Sequence, residues 1–354
     1  MKKVLVLFGG VSSEHEVSCI SASYVINNIP RDKYEVCAVG ITKGGEWFLF
    51  EGDSSLLPND KWLSSNCKKA IISPDRSDHG VIVFDNGSIE KIYIDVCFPV
   101  LHGKNGEDGT MQGLLEISGI PYVGCSTLSC SVCMDKEFTN TLADAAKIKQ
   151  AKWLHINKYA YNKASGEFIK RAKDYLGFPI FVKPANAGSS VGITKALNEN
   201  DLKNGIDKAF QYDCKVVLEE FIDGFEVECA VIGNREPMAS AIGQILSCNE
   251  FYDYDAKYLT DSKLLIPADL PVEKQNEIRA AAVTAYNVLN CTGLSRVDFF
   301  VDRKNGNVIF NEINTIPGFT SISMYPKLME QSGIPYPKLL DRLFKLAIER
   351  SENK

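Results

Sequence analysis

The chain has 354 residues, 45% of them hydrophobic and 24% charged, the make-up of an ordinary globular protein with room for two or three domains. Its 45 acidic and 39 basic residues leave a net charge of -6. That balance argues against nucleic acid as the main partner and against a polybasic membrane contact. The apolar run Val4–Phe8 is too short for a signal-peptide core and ends in Gly9-Gly10. With no run of membrane-spanning length, the reading is a cytoplasmic protein. The 11 cysteines are an odd number spread along the chain, which suits a reducing compartment and no disulfide framework. Cys130-Ser-Val-Cys133 is a lone CxxC, and the four histidines are scattered. Small buried thiols are therefore a better reading than a zinc site.

In chain order, Val4–Phe8 reads as a buried strand of a parallel sheet. After the Gly9-Gly10 turn, Ser13 and Glu16 have capping-box spacing, and Val17, Ile20, Tyr24 and Val25 form a helical stripe. Strand, glycine turn and helix are how an open α/β sheet exposes a binding crevice. Residues 34–42 return as a strand, 51–80 read as irregular surface, 95–101 as a buried strand, 110–118 as a helix and 121–124 as a short strand. A helix is expected near 134–148, and 157–169 is ambiguous between helix and strand. Strands follow at 178–184 and 216–221, with a helix at 200–210 between them. The last segment adds strands at 226–232 and 239–245, a helix at 272–289 and a charged helix from Tyr336. The expected division is 1–125, 126–215 and 216–354.

Three stretches carry candidate chemistry. FVKPANAGSSVGITK (181–195) combines a lysine with small residues whose amides can wrap a phosphate; alone it reads equally as a flexible turn. LHGKNGEDGTMQG (101–113) mixes His102, Glu107 and Asp108 with four glycines, which allow close backbone approach. The third is 294–326. There Asp298, Glu312 and Asn314 interrupt two apolar strands around Lys304-Asn305-Gly306. Glu312 and Asn314 share a face by alternation. Asp298 joins them only across an odd loop, for which a three-residue loop 304–306 with Gly306 left-handed is expected; a two-residue Asn-Gly turn would put it on the other face. Three hard oxygen ligands would suit Mg²⁺. The alternative is a sheet edge with ordinary solvated charges.

The hairpin resembles the metal-binding hairpin of the ATP-grasp superfamily, and NEINTIPGFTSISMYP resembles the C-terminal signature of D-alanine–D-alanine ligases. At least six motifs occur in the family order from Val4 to about Leu343. The resemblance implies an α/β, three-domain ATP-grasp fold whose N-terminal domain is an open parallel sheet. It implies ATP as substrate, Mg²⁺ (or Mn²⁺ in its place) on Asp298, Glu312 and Asn314, D-alanine as partner, and a homodimer. Lys136, Lys183 and Lys257 would contact ATP phosphates. The backbone around Glu220, Phe221 and Ile222 would read adenine, with Glu219 on the base and Glu226 on the ribose. Glu14 would receive the ammonium of the first D-alanine, in a group with Ser189 and Tyr258. His102 and Glu107 would lie beside the amino-acid sites, Arg296 and the Gly318 N–H would face the oxyanion, and Ser323 and Met324 would bind the second carboxylate. EFYDYDAKYLTDSK (250–263) matches the family's lid. Departures are Lys147-Ile148-Lys149, Gln244 and Ile322. The implied activity is ATP-dependent joining of two D-alanines through an acyl phosphate, for cell-wall precursor synthesis. Met324 offers no hydrogen-bond donor to a serine hydroxyl, and FYDYDAKY with Tyr258 is a stretch that the resemblance says D-lactate users usually lack, so D-alanine is expected over D-serine or D-lactate. Another ATP-grasp ligase and a non-catalytic nucleotide-binding regulator are the more distant alternatives.

Overall fold

Five consecutive buried residues, Val4–Phe8, make the first strand a two-sided core element. In the computed structural model, which describes residues 1–188, 191–246 and 263–353, β1 (Lys2–Gly9) pairs in parallel with β2 (Tyr34–Ile41) and β7 (Val96–Pro99). Val4, Val6 and Phe8 face one core, shared with α1 (His15–Asn28), and Leu5 and Leu7 face another, as period-two alternation requires. The sheet is only partly parallel. Strands β3 (Trp47–Phe50), β4 (Cys67–Ile72), β5 (Gly80–Asp85) and β6 (Ser88–Tyr93) extend it as an antiparallel meander. The 51–80 stretch therefore contains a strand where irregular surface was expected. The capping box at Ser13 does not form either. Glu14 is the N-cap without a side-chain bond, and Glu16 pairs with Lys43 instead.

Beyond α2 (Thr110–Ser118), the helix expected near 134–148 is two helices, α3 (Thr127–Met134) and α4 (Lys136–Ala145). Asp135 separates them and caps α4 by accepting N–H bonds from Glu137 and Phe138 at 3.0 and 3.3 Å. A second, four-stranded sheet follows in the order β10-β9-β11-β8. It comprises β8 (Trp153–Asn157), β9 (Ile180–Pro184), β10 (Thr194–Ala196) and β11 (Lys215–Glu220), with α5 (Lys158–Leu176) and α6 (Glu199–Ala209). Asn157 resolves the ambiguous stretch by ending β8 and capping α5. β11, placed by sequence at the start of the last segment, is an inner strand here, paired with both β9 and β8.

The third sheet has the order β14-β13-β12-β15-β16: β12 (Gly224–Gly233), β13 (Met238–Leu246), β14 (Lys263–Leu265), β15 (Gly293–Asp302) and β16 (Val308–Asn314). One face packs Val227, Cys229 and Val231 against Ile278, Ala282 and Ala285 of α7 (Val272–Val288). The other packs Ala230 and Ile232 with α8 (Met324–Gln331) and α9 (Tyr336–Glu352), and this core runs on into Val4, Val6 and Phe98 of the first sheet. Arg350 of α9 pins the junction, donating to the carbonyls of Gly124 and Tyr122 and to Thr292 Oγ1.

The β15–β16 hairpin corrects the expected loop. Asp302 N–H donates to Asn307 O at 3.0 Å, and Val301 faces Val308, so residues 303–306 form a four-residue connection with Gly306 at φ 69°. An even loop alone would put Asp298 and Glu312 on opposite faces. A register shift between Asp298 and Phe299 leaves Asn311 as a bulge: Phe299 faces Phe310, yet Asp298 faces Glu312. The odd residue comes from the bulge, not from the turn.

One test of this packing concerns Gly40 in β2. A Cβ there would lie 2.6 Å from the Trp62 ring and 2.7 Å from that of Phe8, both buried. Gly40→Ala should cost about 1–3 kcal/mol by overpacking and lower the thermal midpoint of unfolding. An unchanged midpoint would contradict the packing described.

Candidate active site

Three strands lie side by side with carboxylates in register: Glu228 of β12 faces Asp298 of β15, which faces Glu312 of β16. Asp298 and Glu228 are 0% and 2% exposed. Buried carboxylates need compensation. Arg296, two residues along β15 on the same face, supplies part of it. Its Nε donates to Asp298 Oδ1 at 2.8 Å and its Nη2 to Asp298 Oδ2 at 2.6 Å, and Nε lies 3.0 Å from Glu228 Oε2. Asn314 Nδ2 donates to Asp298 Oδ2 at 2.9 Å. Burial works against the guanidinium's charge, but Asp298 and Glu228 more than offset it. Carboxylate oxygens of Glu226, Glu228 and Asp298 lie within 4.8 Å of one another. Among the described residues, a row of carboxylates around one guanidinium, with an amide beside it, is a hard-oxygen donor set. That set fits a hard divalent cation. Glu228 lies outside the motif strings, yet Glu226 and Glu228 alternate inside an apolar strand in the same way as Glu312 and Asn314.

The glycine-rich loop faces this row. Lys136, first residue of α4, donates from Nζ to Ala187 O at 2.8 Å and from its backbone N to Ala185 O at 3.1 Å. Asp135 holds the loop as well, accepting from Asn186 Nδ2 at 3.2 Å. Lys183, on β9, pairs with Glu219 Oε2 at 2.5 Å, each side chain 12% exposed. Burial pushes its ammonium down, but Glu219, with Glu312 and Glu226, overcomes this and keeps it charged. At the end of β11, Glu220 Oε1 accepts from Lys152 N at 2.8 Å, and its own N–H bonds Lys152 O. The Phe221 N–H donates to Pro179 O at 3.3 Å, and its ring lies under the Lys195 ammonium at 4.5 Å. The amides of Glu220 and Phe221 are thus engaged within the protein. Ile222 follows in the connection to β12, where its Cγ2 lies 3.4 Å from where a Gly224 Cβ would stand.

The N-terminal segment closes the third side. Glu14 is 4% exposed at the start of α1. A Cβ at Gly103 would sit 2.5 Å from its Oε2, and one at Gly188 would sit 3.1 Å away. Glycine lets the backbone at Gly103 reach this carboxylate, and at Gly188 it avoids crowding against it. Glu107 Oε2 accepts from Gly103 N at 2.8 Å, and its Oε1 from Ile316 N at 3.3 Å. His102 bridges Ser21 Oγ at 3.2 Å and Ile316 O at 3.1 Å. Burial, then Glu14, push the Glu107 carboxyl up to about 8 against the pull of those two N–H donors. Burial lowers the His102 imidazole against the opposing pull of Glu14.

These parts meet around a single open cleft. Glu14, His102, Glu107, Lys136, Arg296, Glu312, Asn314 and Gly318 line it. Lys183, Glu219 and Glu226 stand to one side, as the ion pair and electrostatic contacts above place them. Ser323 Oγ is held by the Thr320 N–H and Oγ1 at 3.0 and 2.8 Å, and lies where a Gly318 Cβ would be. Met324 does not line the cleft. It is 5% exposed, with its Sδ against Gly243, so it contributes to the core beneath the site and is not a wall toward a substrate. Ser189, Lys257, Tyr258 and the 250–262 stretch lie outside the described residues.

The chain is similar to known proteins along its whole length. Residues 3–125 match the family described as D-ala D-ala ligase N-terminus, and residues 142–345 match D-ala D-ala ligase C-terminus. The chain is 51% identical to a D-alanine–D-alanine ligase of Caldicellulosiruptor bescii over 99% of its own length and 96% of that protein. It is 50% identical to one from Thermoanaerobacter pseudethanolicus over 100% and 98%. Among solved structures, the VanG D-Ala:D-Ser ligase of Enterococcus faecalis superposes with TM-score 0.89 at 42% identity, covering 98% of this chain and 99% of that one. The D-alanine–D-alanine ligase of Coxiella burnetii gives 0.86 at 34%, covering 100% and 97%. With both halves matched, and relatives half identical along its whole length, the chain belongs to the D-alanine–D-alanine ligase family.

Proposed function

We propose that the protein joins two D-alanines into D-alanyl-D-alanine at the expense of ATP, supplying a peptidoglycan precursor. The observation that carries this reading is the cleft in which Glu14, the Lys136-bound glycine-rich loop and the Arg296–Glu312–Asn314 wall meet. A ligation through an acyl phosphate needs three things together: a carboxylate to hold an ammonium, cations and amides for phosphates, and donors where an oxyanion develops.

In this reading Glu14 takes the ammonium of the first D-alanine and aims its carboxylate at the γ-phosphate. Lys136 and Lys183, with Lys257, lie along the phosphates, and the amides of the glycine-rich loop close over them. Glu219, Glu226 and the 220–222 backbone, apart from the engaged N–H groups of Glu220 and Phe221, hold the nucleoside. The carboxylate attacks the γ-phosphorus, ADP departs, and the acyl phosphate stays shielded from water, with Ser189 and Tyr258 in the Glu14 group. The second D-alanine is held through its carboxylate near Ser323, and its amine attacks the acyl carbon. Arg296 and the Gly318 N–H stabilise the oxyanion, and phosphate leaves. Asp298, Glu312 and Asn314 would hold Mg²⁺ or Mn²⁺, which when bound supplies positive charge to the phosphates.

The three sheets support a three-part division at 125 and near 215, with the second boundary moved past Glu220 to keep β11 in its sheet. Among the described residues no helix is long and apolar enough to cross a membrane. We place the enzyme in the cytoplasm as a homodimer, on the composition and the family resemblance. D-Serine as second substrate is the other reading, favoured by the likeness to a D-Ala:D-Ser ligase.

Three outcomes are expected. Glu312→Gln should abolish ATP- and D-alanine-dependent phosphate release while the folded spectrum is kept, because a charged oxygen ligand is lost; near-normal release would remove Glu312 from the metal set. In competition between equal D-alanine and D-serine, read by dipeptide mass, D-alanyl-D-alanine should dominate by roughly tenfold or more, the scale at which a pocket separates such isosteres. Mainly D-Ala–D-Ser product would decide for the other reading.

The third outcome concerns protons. Glu107 holds a proton near neutral pH because it is buried and faces Glu14. An ammonium neutralising Glu14 removes part of that second cause and lowers the Glu107 pKa. Binding should therefore release a fraction of a proton at pH 7, and D-alanine affinity should rise with pH until about 8 and then level. Calorimetry at pH 7 in two buffers of different ionisation enthalpy, with a non-hydrolysable ATP analogue present, reads this directly. A buffer-independent heat in the wild type, or unchanged release in Glu107→Gln, would refute it.

A further inference from the structure

We propose that Glu228 is a positioning residue: it anchors the Arg296 guanidinium from the β12 side, so that Asp298 need not do so alone. The inference rests on the reading of Arg296 as an oxyanion contact and goes beyond it.

The geometry poses a conflict that Glu228 relieves. Arg296 offers one full edge, Nε and Nη2, to the two oxygens of Asp298. Asp298 is also the central member of the proposed cation set, and Asn314 already donates to its Oδ2. A carboxylate that is the sole anchor of a guanidinium has fewer lone pairs for a cation. Glu228 stands directly across from Asp298 in the neighbouring strand, and its Oε2 is 3.0 Å from Arg296 Nε. Nε has one proton and gives it to Asp298, so Glu228 holds the guanidinium by charge, as a second negative partner on the same edge. The edge so occupied faces the two carboxylates. Arg296 itself reaches the cleft wall, whereas Glu228 is not among the residues that line it and is 2% exposed. Glu228 therefore acts through Arg296 and touches no substrate. Two strands hold the pair: Glu228 and Arg296 sit on one face of β12 and β15 two positions apart in the ladder, with Ala230 opposite Arg296. The register fixes where both side chains start, and a guanidinium already in place costs no reorganisation when charge develops in front of it.

The experiment compares Glu228→Gln, Arg296→Lys and the double variant by steady-state phosphate release, with the Mg²⁺ concentration for half-maximal rate and KM for ATP measured on each. Glu228→Gln keeps shape and removes charge. It should lower kcat by about 10- to 100-fold, the scale of a misplaced catalytic donor, with KM for ATP and the Mg²⁺ requirement within about twofold of wild type. In the Arg296→Lys background the same change should cost less than about threefold, because the two side chains act as one unit. A merely structural glutamate would lower the thermal midpoint without this non-additivity. Three results would overturn the proposal: kcat within twofold of wild type in Glu228→Gln while Arg296→Lys is impaired; an undiminished loss in the lysine background; or a large rise in the Mg²⁺ requirement, which would make Glu228 a cation ligand instead. Normal kcat in Arg296→Lys would instead fell the underlying reading of Arg296, and the proposal with it. Should Glu228→Gln fail to fold, Glu228→Asp keeps the charge and retracts it by one methylene. A several-fold loss of kcat at normal KM for ATP is then expected, and full activity would refute the anchoring role.

Discussion

Arg296 lies in the middle of a sheet with Asp298 on its own strand, Glu228 on one neighbour and Glu312 on the other. Each of these charges would be costly to bury by itself. The sheet makes the cost bearable by setting three carboxylates at one level of the ladder and the guanidinium two residues along on the same face, where the guanidinium and an amide donate to both oxygens of Asp298 and the guanidinium lies within ion-pair distance of Glu228. Much of the surrounding architecture serves that level. α7 packs one face of the sheet and α8 with α9 the other, so the polar row is confined to the sheet end that opens on the cleft.

Close approach is the second theme, and small residues secure it. Glu14 sits at the end of a glycine turn, where α1 begins without a side-chain cap. Gly103 and Gly188 come close enough to its carboxylate that a methyl group would collide at the first and crowd at the second. Two loops from different parts of the chain thereby reach the same acid. Lys136 and Asp135 fasten one of them to the start of α4, so an ordinary helix cap also positions the phosphate-facing loop. Glu107 fastens the other to Ile316. The cleft is thus closed by hydrogen bonds between segments about 50 to 210 positions apart in sequence, and by the apolar core that α9 shares with the first sheet.

Buried acids here divide into two groups by their partners. Asp298 and Glu228 face a guanidinium, and Glu219 faces Lys183. Glu107 faces Glu14 instead, and burial with that negative neighbour outweighs two backbone N–H donors and the Arg296 charge, pushing its carboxyl up to about 8. One cleft therefore holds carboxylates suited to cations and a carboxyl suited to answering the charge of its neighbour. Opposed environments of this kind mark sites where proton and cation binding are linked.

The sequence by itself determined the local and repetitive features. Buried runs such as Val4–Phe8 announced strands, the Ile278–Ala282–Ala285 stripe announced α7, and the string of motifs announced the family and most of the residues around the cleft. These signals rest on periods of 2 and 3.6 residues and on residue chemistry, which are properties of short windows. Only the tertiary structure decided what depends on parity and partners. The Asn311 bulge, not the turn, brings Asp298 to Glu312, and no local pattern distinguishes a bulged asparagine from a regular one. β4 formed in a stretch that looks irregular because β3 and β5 supply its hydrogen bonds. β11 joined the second sheet through β8 and β9. Met324 turned into the core over Gly243, and Glu228 became part of the site because it stands beside Arg296 across two strands. Each of these outcomes is set by residues distant in sequence, so a reading along the chain sees one partner and not the other.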